Sequence, residues 1–245
     1  MNLRLPSTIG SESARELGDA LERANADASS EPIVLEPAGA GIFCRGMDFA
    51  EIAQRGEPGE IDQATADGVR LYARCLRLIR TSTRPVIAVV DGEVLAGGVG
   101  IAAASDVVIG TERTTFALSE VLFGLIPAMV LPFLIERMPA QKARWMALGG
   151  TAVHGARAEE LGLVDVFTTT AELDKTVRRQ CKSLARCAPR GVARLKSFTA
   201  GLGGLDVLAA LELGATETTA ALRDDSVLEA VRRFVRDGVM PWQHT

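Results

Sequence analysis

Between Val86 and Asp106 the chain reads VIAVVDGEVLAGGVGIAAASD, and that stretch limits the fold more than any other. The β-branched apolar run Val86–Val90 reads as a buried strand. Asp91-Gly92 breaks it, and Ala96-Gly97-Gly98 opens a small-residue segment suited to a tightly packed helix. Glycine at such a junction lets backbone come close to a ligand, and the free N–H groups at a helix start hold negative charge. Glu120 stands fourteen residues past Asp106. One carboxylate near a backbone anion site is a minimal apparatus for moving a proton beside a carbonyl. The plainer reading of Glu120 is a helix-start carboxylate near a dipole.

At 245 residues, 47% apolar and 24% charged, the chain is long enough for one large domain or two small ones with a sizeable core. The net charge of −4 and the lack of a Lys/Arg block argue against nucleic acid as a partner. No segment has signal-peptide or membrane-span character, so a cytoplasmic protein without a membrane partner is expected. Cys44, Cys75, Cys181 and Cys187 lack paired metal-type spacing and read as small buried apolar residues. Only His154 and His244 are present, too few for an easy zinc site or Ser-His-Asp triad, so no metal is expected. His154 reads as a solvated or structural histidine.

Ser13 with Glu16 forms a capping box for a helix carrying Leu17, Leu21 and Ala24 on one side. A short strand follows at 32–36, then a glycine-punctuated loop over 38–49. Val69, Tyr72, Leu76 and Ile79 predict an amphipathic helix over 61–80. Beyond the central segment, a strand is expected at 107–110, helices at 141–148 and 156–161, and a strand at 163–167. From Glu172 onward the pattern is helical. Ser226 and Glu229 form another capping box, and Gly238 stops the last helix. An α/β core over 1–190 and a helical region over 191–245 are expected.

Gly98-x-Gly100-x-x-Ala103 matches a relaxed dinucleotide fingerprint, but the loop from Asp91 to Gly97 is too long for that turn. Two glycine-bearing loops, each after a strand, would each offer one backbone N–H to the same oxygen, which is an oxyanion hole. On spacing alone, a pair of ordinary turns is the favoured reading. Arg45 meets a substrate phosphate or carboxylate, or is a solvated arginine. Tyr72 lines an acyl pocket or simply packs, and its place on the apolar helix face favours packing. Trp242 and His244 close over a neighbouring subunit's pocket or form a frayed tail.

The ordered set GIFCRGMDF, VVDGEVLAGGVGIAAASDVVIG, TTFALSEVLFGLIP and ARAEELGLVDVF resembles the crotonase (enoyl-CoA hydratase/isomerase) superfamily over nearly the whole chain. The resemblance implies an α/β fold, a ClpP-like spiral of ββα units with a C-terminal helical extension that forms trimers or hexamers. It implies an acyl thioester substrate on coenzyme A or an acyl carrier protein, and no cofactor beyond that carrier. It also places the oxyanion N–H groups at Met47 and Gly97, with Gly98 as a further substrate contact, and a catalytic acid/base at Glu120.

Two departures stand out. The second glutamate common in hydratases is replaced by Gly100, and the usual IPGAGG stretch by Ile126–Pro132. A shortened first β-hairpin is also expected. A closer likeness is to the dehydratases of polyketide β-branching, which convert 3-hydroxy-3-methylglutaryl to 3-methylglutaconyl groups. Glu120 would then take the α proton and return it to the departing hydroxyl, its pKa raised by burial beneath Phe116 and Leu122. The rivals are the companion decarboxylase or a combined enzyme, a general enoyl-CoA hydratase or isomerase, and a catalytically silent scaffold or carrier-docking module.

Overall fold

The computed structural model describes residues 1–27, 29–48 and 63–244. The expected helix start at Ile61, the end of the glycine loop beyond Asp48 and the side chain of His244 lie outside what is described.

After strand β1 (Asn2–Arg4) and helix α1 (Ser11–Ala26), the chain winds through three similar units. The first is β2 (Ile33–Glu36), β3 (Gly41–Cys44) and α2 (Gln63–Arg80). The second is β4 (Val86–Val90), β5 (Gly92–Leu95) and α3 (Gly97–Ala104). The third is β6 (Val107–Gly110), β7 (Thr115–Ala117) and a 3₁₀ turn at Glu120–Phe123. Leading strands build a five-stranded sheet in the order β1-β2-β4-β6-β9, where β9 is Val166–Phe167. Trailing strands build a second sheet, β3-β5-β7-β8, where β8 is Val153–His154. The expected spiral of ββα units is therefore present. Every pairing is parallel except β7 with β8.

A parallel sheet must be covered on both faces, which explains why all five residues of β4 are apolar and buried. Alternate residues serve the two sides. Ile33, Leu35, Val86, Ala88 and Val90 join the main core with Leu17, Leu21 and Ile79. Val34, Ile87, Val89 and Ile109 pack against Val177, Cys181 and Leu184 of α7 (Leu173–Leu184).

The corners between leading and trailing strands are tight. Gly92 has φ +145°, and a Cβ there would lie 2.2 Å from the carbonyl carbon of Gly41, its partner in the β3–β5 register. Only glycine permits that stacking of one corner on the next. These corners hid two strands from sequence reading, since β3 falls within the expected 38–49 loop and β5 within the expected glycine turn.

Both capping boxes are displaced. Gly10 is the N-cap of α1, and its N–H donates to Ser13 Oγ at 2.9 Å, so Ser13 is the third helical residue, not the cap. At the last helix, α10 (Asp225–Asp237), Asp224 is the cap and accepts from Ser226 N–H at 3.1 Å. Gly238 does end that helix, at φ 68°. The expected strand at 163–167 shrinks to Val166–Phe167, because the Asp165 carboxylate instead accepts from Val108 N–H at 2.7 Å.

Helix α8 (Pro189–Gly201) is tied to the core by Lys196, whose Nζ lies 2.8 Å from Asp106 and donates to the Ile79 carbonyl at 3.2 Å. Helix α9 (Val207–Leu222) and α10 bury no residue within the chain. No helix among the described residues is long and apolar enough to cross a membrane. Lys196→Ala leaves a largely buried carboxylate without its cation and is expected to cost about 3 kcal/mol in urea unfolding. The exposed Lys182→Ala control should stay within about 0.5 kcal/mol.

Candidate active site

β3 and β5 are hydrogen-bonded neighbours, so the chain leaves the second sheet at two adjacent points. The two exits touch. A Cβ on Gly46 would lie 2.6 Å from the Gly97 nitrogen and 2.8 Å from the Ala96 Cβ. Gly46 itself has φ +78°. Its carbonyl accepts from Ile9 N–H at 2.6 Å, and Asp48 N–H donates to the Ile9 carbonyl at 3.2 Å. Residues on either side of Met47 thus bond to Ile9, which turns the Met47 N–H the other way. Neither the Met47 nor the Gly97 N–H has an acceptor among the described residues.

Ala96 precedes Gly97 with φ 47° and ψ −118°, the only non-glycine positive φ among the described residues. Such a conformation costs on the order of 1–3 kcal/mol and persists only where surrounding structure enforces it. Here it sets the direction of the Gly97 amide at the start of α3.

Met47, Tyr72, Gly97 and Glu120 line one cavity of about 180 Å³. Residues 125–130 form an apolar wall, while Thr65, Gly68 and Val69 of α2 form another. Glu120 opens the 3₁₀ turn, and its Oε2 is buried with no hydrogen-bond partner, the only such side-chain atom among the described residues. Burial raises the pKa of this carboxyl, against a smaller lowering by the backbone of Glu120 and Ser119.

The source of that burial differs from expectation. Phe116 is fully buried, but Leu122 is 70% exposed. With three residues per 3₁₀ turn, Leu122 projects away from the side that Glu120 occupies. Within the lining segment 125–130, Pro127 and Val130 are the buried residues.

Two expected contacts are not in the cavity. Arg45 is exposed and pairs with Glu93, at 2.8 Å from its Nη2. Phe43 and Cys44 at the end of β3 are both buried, and Arg45, one residue past the strand, is exposed. Gly98 is a packing glycine, since a Cβ there would lie 2.1 Å from the Cys44 carbonyl oxygen. Tyr72 does line the cavity, and its hydroxyl donates to the Gly97 carbonyl at 2.6 Å. His154 is exposed beside Thr115 Oγ1 at 3.0 Å, and Arg186 stacks 5.7 Å from the Trp242 ring. Cys44 and Cys75 are buried as expected, whereas Cys187 is exposed.

Sequence reading passed over Asp48, which lines the cavity and accepts from Thr8 Oγ1 at 3.1 Å. It also passed over Thr65 and Gly68. The helical spacing of 65, 68, 69 and 72 marks one face and could have found them.

A two-sheet spiral with a largely apolar cavity, lined by two amides that lack an acceptor among the described residues and by one half-buried acid, defines the crotonase class of enzyme. The chain belongs to the enoyl-CoA hydratase/isomerase family, whose model matches residues 1–245. It is 36% identical over 202 residues to "Bacillaene synthase dehydratase PksH" of Bacillus subtilis, covering 82% of this chain and 76% of that one. It is 28% identical over 196 residues to "Carnitinyl-CoA dehydratase" of Proteus mirabilis, covering 78% and 72%. An enoyl-CoA hydratase/isomerase from Marinobacter aquaeolei superposes with TM-score 0.81 at 27% identity, covering 99% and 90%.

The site itself can be checked without a substrate. In a ¹³C carboxyl titration Glu120 should hold its proton above the usual glutamate midpoint of about 4.3, because burial disfavours the anion. Glu172, hydrogen-bonded to Lys175, should titrate below it.

Proposed function

We propose that this protein dehydrates a 3-hydroxy-3-methylglutaryl-type thioester, carried on an acyl carrier protein, to the 3-methylglutaconyl form during polyketide β-branching. The observation that carries this reading is the buried Glu120 oxygen, without a partner among the described residues, sharing one cavity with Met47 and Gly97, whose amides likewise lack an acceptor there. Likeness to the bacillaene synthase dehydratase supports the choice of reaction. So does Gly100, which leaves position 100 without the second acid that enoyl hydration commonly uses.

The thioester oxygen sits between the Met47 and Gly97 N–H groups. Glu120, ionised, takes the α proton, and the electron pair moves onto that oxygen as an enolate. Fixed N–H dipoles in a water-poor site lower the energy of this charge without reorganising. The enolate then collapses to re-form the carbonyl and a Cα–Cβ double bond. As the β hydroxyl leaves, it takes the same proton back from Glu120 and departs as water. One carboxylate serves both transfers and ends as it began. A raised pKa helps the second transfer, since the protonated acid must persist until the C–O bond breaks.

Glu120→Gln should lower dehydration about 10²–10⁴-fold with the fold retained. Intact-mass analysis of the loaded carrier checks this, because product lacks one water. A further loss of carbon dioxide would identify decarboxylation in the same pocket, and an unchanged rate in the variant would defeat the assignment. For the wild type, kcat/KM should fall as pH drops through the raised Glu120 pKa, because the base is then protonated.

The C-terminal helices complete the proposal. Val207, Leu208, Leu211 and Val235 are more than 60% exposed on α9 and α10. A trimer or hexamer formed through residues 191–245 would cover them. Light scattering should therefore give a mass three or six times that of the 26.0 kDa chain.

A further inference from the structure

We propose that Tyr72 is a positioning residue of this site, clamping the Gly97 carbonyl and occupying the space that a side chain at position 100 would need. This inference rests on the reading of the Met47 and Gly97 amides as the enolate-binding pair.

Tyr72 is the only tyrosine in the chain, 6% exposed, and reaches from α2 onto the first turn of α3. Its O–H donates to the Gly97 carbonyl at 2.6 Å. The tip of its ring packs against the same residue, since a Cβ on Gly97 would be 3.3 Å from Tyr72 Cζ. The amide and carbonyl of Gly97 flank one freely rotating glycine, and the residue before it is strained. Relaxation of Ala96 would swing the Gly97 N–H out of the cavity. A hydrogen bond to the carbonyl on the far side of Gly97 opposes that swing. Burial keeps the phenol protonated, so the clamp remains a donor throughout the working pH range.

The second half of the argument is spatial. A Cβ on Gly100 would lie 2.3 Å from the Tyr72 hydroxyl oxygen, with Val130 Cγ2 next at 3.2 Å. Tyr72 and a side chain at position 100 therefore exclude one another. With that place taken by a neutral phenol already committed to a backbone carbonyl, both proton transfers fall to Glu120. Gly100 is thus more than the loss of an acid, because it is the space in which the clamp fits.

The test uses the full chain and acetoacetyl-coenzyme A, whose bound enolate is read by its ultraviolet absorbance without any dehydration. Tyr72→Phe keeps the ring and removes the donor. It should lower the bound enolate fraction about tenfold, the scale of one lost hydrogen bond. Binding of butyryl-coenzyme A, which reports the pocket and not the enolate, should change less than about twofold. Gly100→Ala should lower the enolate fraction when Tyr72 is present, yet add little to Tyr72→Phe, since the 2.3 Å contact is with the missing oxygen.

An unchanged enolate fraction in Tyr72→Phe overturns the clamp, and additive losses in the double variant overturn the shared space. Absence of enolate in the wild-type protein overturns both this inference and the enolate-binding role of the two amides. A normal enolate signal with no water lost from a 3-hydroxy-3-methylglutaryl thioester defeats the proposed reaction and leaves the Tyr72 assignment standing.

Discussion

The contact between Gly46 and the Ala96–Gly97 turn is the constraint on which the site depends. Two chain segments leave adjacent strands of one sheet, and their backbones meet where any Cβ on residue 46 would fall 2.6 Å from a backbone nitrogen. Nothing but glycine fits there. The meeting brings Met47, one residue from Gly46, and Gly97 to the wall of the same cavity. Pairing with Ile9 consumes the groups on either side of Met47 and leaves its own N–H unspent. Two amides that are eleventh-hour orphans of strand and helix termini thus become available to one ligand atom.

Around this contact the packing runs to backbone distance. Gly98 admits the Cys44 carbonyl, Gly92 admits the corner at Gly41, and Gly100 admits the Tyr72 hydroxyl. Six of the eight residues of helix α3 are glycine or alanine, which lets it sit close against β3 and α2, and seven of the eight are buried. The strain at Ala96 is tolerated because both flanks are held, by β5 on one side and α3 on the other. A carboxylate then needs only to be placed opposite, and the 3₁₀ turn after β7 does that for Glu120. Burial of that carboxyl raises its affinity for a proton.

Legibility in the sequence followed the strength of local pattern. Strand β4 and helices α1 and α2 were plain because buried parallel strands and amphipathic helices leave clear periods. Strands β3, β5 and β7, with three or four residues each, carry too few positions for a period and are defined by pairing. Helix caps shifted by three and two residues because Ser13 and Ser226 are good cap residues in competition with Gly10 and Asp224. Arg45 and Gly98 lie in the right motifs, but one points outward to Glu93 and the other is filled by a strand carbonyl. Adjacency in sequence says nothing about which way a side chain faces.

The ordered set of motifs by itself carried the likeness to the family, that likeness marked Met47, Gly97 and Glu120 as candidates, and the apolar helix face brought out Tyr72. Those features are local or carried by a run of residues, so they survive without coordinates. Tertiary structure decided the rest: that the four share one cavity, that Glu120 keeps a bare buried oxygen, and that Tyr72 stands where a residue-100 side chain would go. Each of these is a distance between segments some twenty to seventy residues apart, and such distances exist only once sheet pairing has closed the chain on itself.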